Sequence, residues 1–189
     1  MRFSVLIGGI ILFLAIFSFY FWKSRTSYNF KQNTMEVKHT LKVTSSAFEN
    51  GSLIPSRYTC DGENINPDLE ISGVPQEAKS LVLIVDDPDA PMGTFSHWLV
   101  WNISPSVGKI AENSMPEDAV VGRNDFGENS YGGPCPPSGE HRYFFKVYTL
   151  DTVLELDPSV GRKELLRAID GHILAKGELM GRYLKNKVK

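Results

Sequence analysis

The chain has 189 residues, 42% hydrophobic and 22% charged, with 20 Lys and Arg against 22 Asp and Glu for a net charge of -2. Those proportions describe one globular domain of about 150 residues beside a shorter segment. With no basic cluster interleaved with aromatics, they exclude nucleic acid as an expected partner. Sixteen Gly and eleven Pro imply many turns between short strands.

Residues 3–22 (FSVLIGGIILFLAIFSFYFW) form an almost unbroken apolar run. As a helix it would reach about 30 Å, the thickness of a bilayer's hydrocarbon core. A cleaved signal peptide is the competing reading, but its apolar region is usually shorter, and no Ala-x-Ala-like site follows. We therefore expect a single-pass anchor, with Tyr20, Phe21 and Trp22 beside Lys23 and Arg25 as an interfacial belt. Residues 23–38 are polar and aperiodic and read as a tether, leaving 39–189 as the folded domain. That domain is expected on the exported side, although Lys23, Arg25 and Lys31 against Arg2 favour keeping it inside.

Strands are expected where short runs bounded by Gly, Pro, Asn or Asp alternate or are continuously apolar: Leu41 to Phe48, Ser80 to Val85, Phe95 to Ile103 and Tyr143 to Leu150. From Arg162 to Leu184 the period changes. Leu166, Ile169, Ile173, Met180 and Leu184 recur at helical spacing, so one or two helices are expected to close the chain. Strands followed by terminal helices, without β-α alternation, argue for a mainly antiparallel β fold with helices at one side.

Three segments carry candidate chemistry. Asp86-Asp87-Pro88-Asp89 follows the apolar strand, and carboxylates so close need neutralising. Solvated turn residues explain them as readily as one carboxylate turned into a cleft to orient a histidine. In Phe95 to Ile103, period two puts His97 on one face with Leu99, Trp101 and Ile103, where a histidine is commonly a satisfied core residue. Tyr131 to Gly139 is dense in Gly, Pro and Cys, a stiff loop whose glycines let an anion approach backbone N–H groups. His141 and Tyr143 share a face beyond it. Arg142 points the other way, suited to a structural ion pair.

DPDAP at 87–91, the histidine of SHWLVWN at 96–102, and GPCPPSGEHRYFFKVYTLD at 133–151 resemble signature segments of the phosphatidylethanolamine-binding protein family. The bacterial and archaeal Raf kinase inhibitor protein-like branch is the nearest, and YTCDGEN at 58–64 and GHILA at 171–175 extend the likeness over residues 41–185. It is weaker at NPDLEIS, 66–72. The resemblance implies a two-sheet β fold with a small anion pocket formed by Asp87, His97, Gly133, Pro134, His141 and Tyr143, with Asp89 supporting the loop. Cys60 and Cys135 form an even pair that invites a disulfide in an exported domain, where closing so long a loop would stabilise by roughly 4 kcal/mol. The opposite topology leaves both reduced.

Two cysteines without histidine at ligand spacing leave no metal site, and no cofactor is implied. The expected function is non-enzymatic binding of a phosphate- or carboxylate-bearing molecule or a phospholipid headgroup. A protease or kinase inhibitor acting through the pocket loops is the alternative. A hydrolase is disfavoured, because no Gly-x-Ser-x-Gly, His-Glu-x-x-His or phosphate-loop pattern occurs. A homodimer and a protein target remain open as partners.

Overall fold

The computed structural model describes residues 39–185; the expected anchor and tether lie outside them. Among the described residues no helix is long and apolar enough to cross a membrane. The described residues form nine strands, one α-helix and a 3-10 turn at Ser56–Tyr58. The strands are β1 (His39–Thr40), β2 (Lys42–Thr44), β3 (Leu69–Ser72), β4 (Ser80–Asp87), β5 (Phe95–Ile103), β6 (Lys109–Ile110), β7 (Val120–Val121), β8 (Glu140–Leu150) and β9 (Ile173–Leu184); the helix is α1 (Arg162–Ile169). The larger sheet runs β1-β9-β8-β4-β5-β7 and the smaller β2-β3-β6. All pairings are antiparallel except β1 with β9.

The layers follow from which face of the large sheet is covered by what. Leu81, Leu83 and Val85 of β4, Trp98 and Val100 of β5, and Tyr143, Phe145 and Val147 of β8 meet Val43, Leu69, Ile71 and Ile110 of the small sheet in the main core. Val82, Ile84, Leu99 and Trp101 face the other way, onto Leu165 and Ile169 of α1. Every residue of β4 is buried, because it is central and covered on both faces. That is why its sequence is continuously apolar rather than alternating. Each large apolar side chain removed from water here contributes about 1.5–3 kcal/mol.

The C-terminal region departs from expectation. A helix does form, but it stops at Ile169, and residues 173–184 are a twelve-residue strand rather than a second helix. Gly171 takes a positive φ of 85° just past the helix end, where a non-glycine residue would be strained. Beyond it β9 pairs with β8 from Leu150↔Ile173 to Glu140↔Leu184. This long ladder outweighs a local helical spacing that Gly177 and Gly181 already weaken. The expected strand from Leu41 to Phe48 likewise shrinks to Lys42–Thr44.

Two irregularities in β5 matter for the site. Val85 pairs with Trp98 but Asp86 with Ser96, leaving His97 as an extra residue, and Leu81 pairs with Ile103 but Leu83 with Val100. Asn102, inside the second bulge, has φ 58°. Each bulge breaks the period of two. His97 and Ile103 therefore do not share the helix-side face with Leu99 and Trp101: Ile103 joins the inter-sheet core, and His97 turns toward Tyr143.

Candidate functional site

The three carboxylates at the end of β4 are resolved by strand alternation, which sends neighbours to opposite faces. Asp86, fully buried toward the α1 side, receives Lys146 Nζ at 3.1 Å and Arg162 Nε at 3.0 Å, tying β4 to β8 and α1. Asp87, also buried, faces the other side and accepts from His141 Nδ1 at 2.7 Å through one oxygen and from the Asp89 backbone N–H at 2.8 Å through the other. Asp89 accepts a two-pronged bond from the Arg142 guanidinium, 2.9 Å from Nε and 2.7 Å from Nη2. This guanidinium holds the Asp89 carboxyl down to about 2. Arg142 thus fixes the turn that presents Asp87.

His97 sits in the first β5 bulge and is locked twice to the loop ahead of β8. Its ring Nδ1 donates to the Gly132 carbonyl at 2.7 Å, and its own carbonyl accepts the Gly132 N–H at 3.0 Å. Burial pushes the imidazole below its ordinary value, against the opposing pull of the Gly132 carbonyl and the Asp87 charge. The ring stands edge-on to Tyr143, with centroids 5.2 Å apart. Tyr143 is fully buried, and its hydroxyl has no hydrogen-bond partner among the described residues. Burial and the Asp87 charge raise its pKa well above the ordinary phenol value. Both histidines commit Nδ1 to an oxygen acceptor, so in the neutral form each Nε2 carries a lone pair rather than a proton.

A cleft of about 510 Å³ opens in front of this cluster, lined by Asp87 and His97 with Phe95, Met92, Asp125, Phe126, Cys135 and Pro137 among others. Phe95, His97 and Phe126 pack edge-to-face as a triangle with centroids 4.8–5.3 Å apart. Of the residues expected at the pocket, Asp87 and His97 line the cleft, whereas His141, Tyr143, Gly133 and Pro134 are not among its lining residues. Gly133 does not present a free amide: its N–H donates to Asn64 Oδ1 at 2.8 Å, and a Cβ at this position would run into the Tyr58 carbonyl and Thr59. The Pro134 carbonyl accepts from Cys60 N–H at 3.1 Å. Cys60 and Cys135 are joined as a disulfide with Cα atoms 5.4 Å apart.

Sequence reasoning passed over Phe95, Asp125 and Phe126. The available signal was Asn124-Asp125-Phe126-Gly127. Asn124 Oδ1 accepts the N–H groups of Phe126 and Glu128, and its amide donates to the Ser130 carbonyl. This is an Asx-type hub that folds the segment against His97. Among the described residues no group of acidic, histidine or cysteine side chains is placed to hold a metal ion.

Fold and site together define a mainly β protein of two largely antiparallel sheets with, among the described residues, one α-helix, and a surface cleft floored by histidine and aspartate. The family model for phosphatidylethanolamine-binding proteins matches residues 44–184, and the chain belongs to that family. A UPF0098 protein of Archaeoglobus fulgidus is 55% identical over 80% of this chain, which spans 54% of that protein's length. One from Methanothermobacter thermautotrophicus is 50% identical over 76% of this chain and 98% of its own. Two solved structures share the fold. A phosphatidylethanolamine-binding protein homologue of Chlamydia trachomatis, 49% identical, superposes with a TM-score of 0.74 over 78% of this chain and 99% of its own. YbcL of Escherichia coli, described as a new member of the mammalian family, is 33% identical with a TM-score of 0.73 over 77% and 99%.

Proposed function

We propose that this protein binds, without turning over, a small molecule bearing a phosphate or carboxylate, free or as a phospholipid headgroup, in the cleft floored by Asp87 and His97. The observation that carries this reading is the open cleft of about 510 Å³ in whose lining the buried Asp87 carboxylate and His97 imidazole sit side by side with apolar Phe95 and Phe126. The Nδ1 bond of His97 makes its Nε2 an acceptor when neutral, so an anion bound there comes together with a proton. Affinity then rises as pH falls. Gly133 acts by close packing, and Asp89 with Arg142 holds the turn.

The test is calorimetric titration of the protein with phosphoethanolamine, comparing His97→Ala and His141→Ala with the parent. Loss of binding in both is expected; unchanged affinity in both would sink the site. Ester or phosphoester turnover abolished by His141→Ala would replace binding with catalysis. Action on a protease or kinase through the cleft loops is a second reading, favoured by Met92 and Phe126. The first is fully exposed and the second 47% exposed, both at the rim.

A further inference from the structure

The Cys60–Cys135 disulfide has a role that binding does not need. Cys60 is exposed and Cys135 half-buried, so a thiolate from solution can reach the bond from the Cys60 side. Lys185 Nζ lies 3.6 Å from Cys135 Sγ and 3.9 Å from Cys60 Sγ. Asp61 Oδ1 lies 4.0 Å from Cys60 Sγ, and its other oxygen accepts the Tyr183 hydroxyl at 2.6 Å. The ammonium lies near both sulfurs, slightly nearer Cys135, and also 3.9 Å from Asp61 Oδ1; because the carboxylate stands beside Cys60 alone, negative charge is favoured on Cys135 over Cys60.

Cys135 is also a wall residue of the cleft, next to Pro137. Ahead of it the loop is pinned where the Pro134 carbonyl meets Cys60 N–H, and behind it where Glu140 enters β8. Between those points, Cys135 to Gly139 is tied to the body of the domain by the disulfide. Breaking that tie leaves this stretch held by its two ends and by the packing of the buried Pro136.

The structure assigns to Cys60–Cys135 a thiol-exchange site, activated by Lys185, whose reduction by a dithiol loosens the wall of the cleft. The thiolate of the dithiol attacks Cys60 Sγ, forming a mixed disulfide and expelling Cys135 as a thiolate beside the Lys185 ammonium. The second thiol of the reductant, once deprotonated, attacks its own sulfur in the mixed disulfide and expels Cys60. The dithiol is oxidised to a disulfide, two electrons pass to the protein, and its two protons end on the two cysteines. Reactivity at the bond stands by itself; its effect on ligand rests on the binding proposal above.

The experiment uses the full-length protein in detergent micelles with dithiothreitol, following released thiols by maleimide mass shift. Lys185→Gln should slow reduction about threefold, since a leaving thiolate of higher pKa departs more slowly, and Lys185→Arg should restore the parent rate. Equal rates in the parent and Lys185→Gln would overturn the assignment. In parallel, hydrogen exchange in peptides covering residues 131–142 should quicken about tenfold on reduction, as expected when a local tie is lost. The Cys60→Ser/Cys135→Ser variant should behave as the reduced protein with or without dithiothreitol. Exchange that is the same in oxidised and reduced protein would refute the coupling to the wall. If phosphoethanolamine binds neither form while exchange responds to reduction, the ligand proposal fails and the redox assignment stands.

Discussion

Replacing Asp87 by Asn tests how the site sets its histidine chemistry, because the two oxygens of Asp87 have unequal alternatives. Oδ1 accepts the Asp89 N–H at 2.8 Å, a bond that only an oxygen can make. The asparagine must therefore keep its oxygen there and turn its amide toward His141, where the carboxylate oxygen lay 2.7 Å from Nδ1. An amide donor at that place requires Nδ1 to accept, so His141 is forced into the opposite tautomer with the proton on Nε2. A charge-assisted bond worth about 1.5–3 kcal/mol gives way to a neutral one worth about 0.5–1.5, so destabilisation by about 1–2 kcal/mol is expected. For a domain of this size that lowers Tm by about 3–6 °C. Urea unfolding measures the first effect, and nitrogen-15 chemical shifts of the His141 ring measure the second. A variant that unfolds at the parent's urea midpoint, with His141 still protonated at Nδ1, would refute the reasoning.

Other outcomes follow from the same geometry. Because burial depresses the His97 pKa, the unfolded chain takes up this proton first as acid is added. Its contribution to stability is present above the unfolded value of about 6.5 and is lost as pH falls through the folded one. Melting temperatures from about pH 8 to 5 should fall less steeply for His97→Gln than for the parent. Gly133→Ala drives a methyl group into the Tyr58 carbonyl and should cost about 1–3 kcal/mol in urea unfolding. The double change Lys146→Met with Arg162→Met strands the fully buried Asp86 and should cost about 3–5 kcal/mol, whereas Asp89→Asn, at an exposed pair, should cost far less. If residues 3–22 span a bilayer, the full chain should sediment with membranes after alkaline carbonate washing and a chain starting at residue 39 should not.

The sequence by itself determined the strands that carry the site. The apolar run of β4 and the aromatic and branched residues of β5 and β8 reflect burial between two covered layers, which constrains residue type at every position. It also placed Arg142 opposite His141 and Tyr143, since β8 keeps its period of two through this stretch. Other features were decided by contacts distant in the chain. Residues 173–184 hold helical spacing, yet pairing with β8 makes them a strand, because a ladder to a neighbour outweighs propensity at so short a range. His97 faces the cleft because its bulge accommodates Asp86 and Val85 of β4, a register that no residue within β5 encodes. Asp86 is paired with Lys146 and Arg162, Asp87 accepts from His141, and Asp89 just past β4 is paired with Arg142, all partners more than fifty positions away. Their charge could be read in the sequence, but their partners were fixed by which strands meet. The Gly133 amide, a free donor on composition alone, is occupied by Asn64 for the same reason.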